Sequence, residues 1–187
     1  MKSSLPTSTK SSRALSCVEH YGTAEQFLLT FNPSKQYKYC QDIARCYTGK
    51  APTIHTIAEA YGDKVAESWI EIQLKDLSEF TGCKDKLTIQ QIDSIAQVIM
   101  FEFPEFKVTE LMHFFIQFKA GRFGKFYGAV DGLVITEALQ EFRRQRNETV
   151  HHIYKEQAAA EREQDYNERK SKAVTYEEYK KLISNNP

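Results

Sequence analysis

No run in this 187-residue chain approaches the roughly eighteen consecutive apolar residues of a membrane-spanning helix. Net charge is missing as well, since 25 Lys and Arg balance 25 Asp and Glu. The whole chain therefore carries no excess that would draw it to a polyanion or a membrane surface. The four cysteines, Cys17, Cys40, Cys46 and Cys83, form no CxxC pair. The interval from Cys40 to Cys46 is also too wide for a zinc knuckle. Cys40 lies near an apolar stripe, which predicts a small buried thiol. No secretory leader is legible, so reduced thiols and a cytoplasmic location are expected. The chain has no GxSxG, no Cys/His nucleophile signature, no period-two strand pattern and no internal repeat. Nothing brings together an acid, a base and an oxyanion site, and a non-enzyme without cofactor or metal is the expectation.

What is present is helical periodicity and alternating charge. Residues 1–50 carry seven cations and three anions, 51–110 five and eleven, 111–146 six and three, and 147–187 seven and eight. Such alternation suits a chain that touches two different partners. Residues 1–22 are Ser/Thr-rich and basic at their start, and are read as a flexible tail. Thr23 and Gln26 stand in capping-box spacing, as do Thr88 and Gln91. Asn32-Pro33 predicts a helix start, with Tyr37, Cys40, Ala44 and Tyr47 on one face. Thr56 and Thr109 are placed as further caps, and Gly62 and Gly121 as stops. In 63–80, Val65, Trp69 and Ile72 form a stripe with Ile70, Leu74 and Leu77 beside it. In 89–103 the stripe is Ile89, Ile92, Ala96, Ile99 and Phe103. Asp131 caps a last helix carrying Val134, Ala138 and Phe142. That helix outlives its apolar face and runs into a solvated, mixed-charge stretch from 157 to 172, before a small amphipathic end carrying Tyr176, Tyr179 and Ile183. The fold class is all-α: a bundle of five or six helices over 23–156, with a long C-terminal helix extending into a charged tail over 157–187.

The segment "FKAGRFGKFYGAVDG" (118–132) concentrates chemistry. Gly124-Lys125 is followed by Phe126 and preceded by no strand, so it is not a phosphate loop. Lys119, Arg122 and Lys125 alternate with Phe123, Phe126 and Tyr127, the pattern of cations on phosphates and rings on unpaired bases. Arg143, Arg144 and Arg146 follow on the next helix. A second possibility is that Phe123, Phe126 and Tyr127 tuck into the core and the glycines merely turn the chain.

Two other patterns fare less well. "TIAEAYGDKVAESWI" has the look of a helix-turn-helix, but its second helix would present Asp63, Glu67 and Glu71 to DNA phosphates. Glu110/His113 and Glu148/His151 stand as two Glu-x-x-His pairs, like those of a di-iron bundle. Such a site needs a Glu from each of two further helices, and Glu137 and Glu141 share a helix with Glu148. His20 and His55 stand alone.

"AYGDKVAESWIEIQL", "FPEFKVTELMHFFIQFKAGRFGKFYG" and "DGLVITEALQEFRRQR" together resemble an uncharacterised protein family of Bacteroides-type bacteria and their mobile elements. That resemblance implies no catalytic residue. "LTIQQIDSIAQVIMFEFPEFKVTELMHFF", followed by a charged tail, is similar in its helix-FP-helix pattern to phage-type replicative helicase loaders. These likenesses and the basic loop lead to one expectation. The chain is an accessory protein that binds nucleic acid, single-stranded by preference, or a replication protein such as a helicase, without a membrane partner. The alternatives are a protein–protein adaptor using the same loop, with the rings as anchor, and, remotely, a di-metal helical oxidase.

Overall fold

The computed structural model describes residues 10–126, 128–173, 176, 177 and 180. Among these it is all-α, with only two isolated bridges, Thr53 with Lys107 and Asp85 with Ala129. The chain divides into two units, Met1–Arg146 and Asn147–Pro187.

The first unit opens with α1 (Ser12–Tyr21), inside the stretch expected to be a flexible tail. Ser11 accepts from Ala14 N to cap it, and Ala14, Cys17, Val18 and Tyr21 recur at helical spacing on one face. Ala14 and Cys17 are buried against Ala60. Composition hid that stripe; periodicity displays it.

α2 (Ala24–Thr30) forms from the Thr23/Gln26 capping box as expected. The helix expected from Asn32 onward does not run through. A 3-10 turn (Pro33–Lys35), a single helical turn α3 (Gln36–Tyr39) and then α4 (Ile43–Thr48) replace it. The break is local. Asp42 takes up an extended conformation and accepts from Arg45 N at 2.9 Å, which starts a new helix and stops the old one. Tyr37 is consequently 77% exposed while Tyr47 is buried, so the two do not share a face.

α5 (Ile54–Tyr61) is capped by Thr53, one turn before the expected Thr56. Gly62, at φ 99°, passes the chain directly into α6 (Asp63–Phe80). α6 is the central helix. Trp69, Ile70, Leu74 and Leu77 are essentially inaccessible, whereas Ile72, expected on the stripe, is 39% exposed. Glu67, one of the acids that weigh against a DNA-reading helix, is nearly buried and held by Lys64 at 2.6 Å and Gln97 at 3.2 Å.

α7 (Ile89–Glu102) starts from the Thr88/Gln91 capping box. Its buried line is Ile95, Ala96 and Ile99, and Ile89 is 79% exposed because it precedes the turn that meets the core. Phe103 and Phe106 anchor the Pro-containing link in the core. α8 (Val108–Lys119) begins at Lys107, not at a Thr109 cap. Thr109 faces inward and donates to Cys46 O at 2.8 Å instead. Glu110 accepts from Lys107 N at 2.9 Å and closes the helix start.

α9 (Gly132–Lys172) is opened by Asp131, which accepts from Leu133 N at 2.8 Å. Within the first unit it buries Ile135, Ala138, Leu139 and Phe142. The second unit holds the rest of that helix through Lys172, and every described residue from 159 on is exposed. Side-chain pairs one turn apart lace it, including Arg169 with Asp165 at 3.1 Å. Of its expected amphipathic end, Tyr176 is exposed, while Tyr179 and Ile183 lie outside the described residues.

Candidate functional site

The 118–132 loop is built as a turn. Arg122 N donates to Gln117 O and Gly121 N to Phe118 O, with Gly121 at φ 79°. This is the paired closure that ends a helix on a left-handed residue, which glycine adopts without strain. Phe123 lies 5.3 Å from Phe114 and Phe126 stacks at 5.2 Å on Phe118, so both rings are half-buried staples of the loop. Tyr127 lies outside the described residues.

The loop's cations divide. Lys119 donates to Asp76 and, at 3.0 Å, to Gln36 Oε1. Gln36 in turn bonds Gln73, which with Trp69 Nε1 satisfies the carbonyl of Phe31 at the end of α2. Lys119 therefore closes a buried polar network and is not presented to a ligand. Arg122 and Lys125 are exposed and have no side-chain partner among the described residues.

Each of the three arginines is engaged with neighbours within the fold. Arg143 donates to Glu102 O at 3.1 Å and lies over the Phe103 ring. Arg144 is paired with Glu141 at 2.7 Å and holds that carboxyl down to about 2. Arg146 reaches 3.1 Å from the fully buried Glu110 and lies over Phe106. The Glu110 of the first Glu-x-x-His pair is thus spent on an arginine. Among the described residues no three His, Cys, Asp or Glu side chains are placed to hold a metal ion together.

A different surface gathers what the loop lacks. A cleft of about 920 Å³ lies between α1, the α3–α4 segment and residues 49–52. Its floor is a row of rings: Phe31 sits 5.2 Å from Tyr21 on one side and 5.0 Å from Tyr39 on the other. Around it stand Arg13, Lys38, Arg45 and Lys50, with His20, against one carboxylate, Asp42. All four Lys and Arg side chains are exposed, and none has an ion-pair or hydrogen-bond partner among the described residues. Burial pushes the Tyr21 and Tyr39 phenols above their ordinary 10, so at neutral pH each hydroxyl is a donor. Neither hydroxyl has a hydrogen-bond partner among the described residues. Tyr21 and Tyr39 are half-buried and offer their remaining surface to the cleft.

The far wall is held from below. Lys107 Nζ donates to Tyr47 O at 2.6 Å and Gly49 O at 2.8 Å, capping the end of α4. Desolvation lowers its pKa. Reasoning from sequence missed this cleft because its cations are scattered from 13 to 50 and meet only when α1 packs on α5. The signal that was legible was the surplus of cations over acids in residues 1–50.

The chain belongs to a family of unknown function, DUF6633, whose model matches residues 86–186. The match takes in the loop, α8 and α9, and leaves out the cleft apart from Thr109. No curated protein and no solved structure matches the chain.

Proposed function

We propose that this member of a family of unknown function is a non-enzymatic accessory protein that binds single-stranded nucleic acid in the cleft between α1 and α4. One observation carries the reading. Four unpaired cations stand around the half-buried rings of Tyr21 and Tyr39, which are backed by the buried Phe31 and whose phenol donors are unused. Cations of that kind attract phosphates and release counterions, while exposed ring faces stack on unpaired bases irrespective of sequence. A duplex is the poorer ligand, because its bases are already stacked and could not reach Tyr21 and Tyr39. The replication setting belongs to the same proposal. It rests on the resemblance to mobile-element proteins and to helicase loaders, and it implies a cytoplasmic protein.

The test is fluorescence anisotropy of a labelled single-stranded oligonucleotide across a salt series. If all four cations neutralise phosphates, log K falls with log salt at a slope of about −3. Lys38→Ala/Arg45→Ala should roughly halve that slope, at about 0.7 per lost contact. Tyr39→Leu should weaken binding by about 1–3 kcal/mol through lost stacking. Arg122→Ala/Lys125→Ala should leave the slope nearly unchanged. No binding at low salt, or binding indifferent to Lys38 and Arg45, overturns the reading. The adaptor alternative keeps the exposed edges of Phe123 and Phe126 as its anchor. A protein partner held independently of salt and lost on Phe123→Ala would favour it.

A further inference from the structure

We infer that the outer part of α9 is a docking helix, which pairs with a helix of another protein that carries Lys or Arg on both sides of its own contact row. Residues 150–172 hold ten Asp, Glu, Lys and Arg side chains. None of them falls on the row Val150, Ile153, Gln157, Ala160, Gln164 and Asn167, which Ser171 continues. The steps along this row alternate between three and four residues, the heptad spacing of positions that face a partner helix. The alternation places Val150, Gln157 and Gln164 at a positions and Ile153, Ala160 and Asn167 at d positions. From Gln157 onward every member of the row is exposed.

The charges are sorted around that row. Glu161 and Glu168 border it on one side, at e positions, and Glu156 and Glu163 on the other, at g positions. Lys155, Arg162 and Arg169 recur at every seventh residue on the opposite face. The side-chain pairs of the stretch avoid the row as well: His152 with Glu156 at 3.3 Å, Asp165 with Arg169 at 3.1 Å and Glu168 with Lys172 at 3.6 Å. A helix meant only for water gains by spreading such pairs around its whole circumference. It also gains nothing from Asn167 and Ser171, which are poorer helix formers than Glu, Lys or Arg. Contact with another helix explains both choices, because a charge in the row would then be buried without a partner.

The acids choose the occupant. In a parallel pair of helices, each g residue meets the e residue of the next heptad in its partner. Two copies of this chain would then set Glu156 against Glu161 and Glu163 against Glu168. In an antiparallel pair e meets e, and the e row of Tyr154, Glu161 and Glu168 holds no cation. Like charges so placed exclude a partner, so a second copy is the poorer fit. A helix with Lys or Arg at its e and g positions turns the same contacts into ion pairs. The amides of Gln157, Gln164 and Asn167 require amides opposite them, which set the register at a cost in stability. None of this depends on what the cleft binds.

The experiment uses the full chain and a labelled synthetic heptad peptide with lysine at e and g. The peptide carries leucine or isoleucine opposite Val150, Ile153 and Ala160, and amides opposite the amides. It is made in two heptad orders, one for parallel and one for antiparallel alignment, and each has a twin with glutamate at e and g. By fluorescence anisotropy a lysine peptide should bind at least about tenfold more tightly than its twin. Glu156→Lys/Glu161→Lys/Glu163→Lys/Glu168→Lys should invert that preference. Ala160→Glu separates contact along the row from plain charge attraction. It adds an acid, yet should weaken lysine-peptide binding by about tenfold or more, because the new charge enters the row. All of these altered residues are exposed, so the core of the first unit is untouched. Lys38→Ala/Arg45→Ala should bind the peptide as the parent does, which keeps this result separate from the fate of the cleft. Four outcomes overturn the inference: no binding of either peptide, equal binding of both, stronger binding after Ala160→Glu, or a dimer of the unaltered chain that Ala160→Glu dissolves.

Discussion

Arg146 and Glu110 show how a residue that looks like surface chemistry can be a structural necessity. The guanidinium is 20% exposed and the carboxylate not at all. A carboxylate so placed stands only because it accepts from Arg146 and from Lys107 N. Burial still wins in part and holds Glu110 above its ordinary 4.5, against the lowering pull of Lys107 N and Arg146. The folded state therefore keeps that proton to higher pH than the unfolded chain does. Between 4.5 and the raised value, this group's contribution to stability falls as pH rises. Arg146→Ala removes two of the lowering influences and widens the window. We expect it to cost about 3–5 kcal/mol at pH 7, and to recover part of that loss as pH drops toward 5. Glu110→Gln in the same background should flatten the profile. Urea midpoints at pH 7 and pH 5 decide the matter. A variant as stable as the parent would mean that Arg146 is free to serve a ligand after all.

At the scale of elements, α1 carries the sharpest consequence. Ala14 has no exposed surface, and Tyr61 donates to Cys17 O at 3.3 Å. Ala14→Leu forces three more carbons into that contact and should cost about 1–3 kcal/mol by overpacking. Leu15→Ser, on the 52% exposed face, should cost under about 0.5 kcal/mol. A flexible tail would make both changes neutral, and chemical denaturation of the two variants separates the cases. The same helix shows which elements can be read from sequence. Helix starts made by one side chain on its own backbone were legible: Thr23 with Gln26, Thr88 with Gln91, and Asp131 all act where spacing places them. Thr109 has the same spacing toward its helix and was misplaced, because the Cys46 carbonyl across the fold claims its hydroxyl. The α3–α4 break was equally hidden, since only the cap that Asp42 makes on Arg45 N marks it. The aromatic/basic loop was legible as a turn, from its glycines. Lys119 of the loop and Arg146 of α9 could not be sorted, because their partners Asp76 and Glu110 are distant in sequence.

For the molecule as a whole, the family match and the cleft fall on different stretches. The match covers 86–186, whereas the cleft's cations lie between 13 and 50. Whatever members share over the matched stretch, the binding proposed here rests on the part that precedes it. A truncation tests this division. Among the described residues nothing beyond Phe142 is buried. Residues 147–187 carry seven cations against eight anions, so they offer no excess to a polyanion. Their helix is laced by exposed pairs one turn apart, each contributing only about 0.2–0.5 kcal/mol. A chain stopped after residue 156 should therefore keep its urea midpoint to within about 0.5 kcal/mol. It should also keep the salt slope of oligonucleotide binding, because Arg13, Lys38, Arg45 and Lys50 are all retained. Loss of binding with stability intact would move the polyanion contact into 157–187. Retention of binding would leave those residues available for a second partner, as the alternation of charge along the chain suggests.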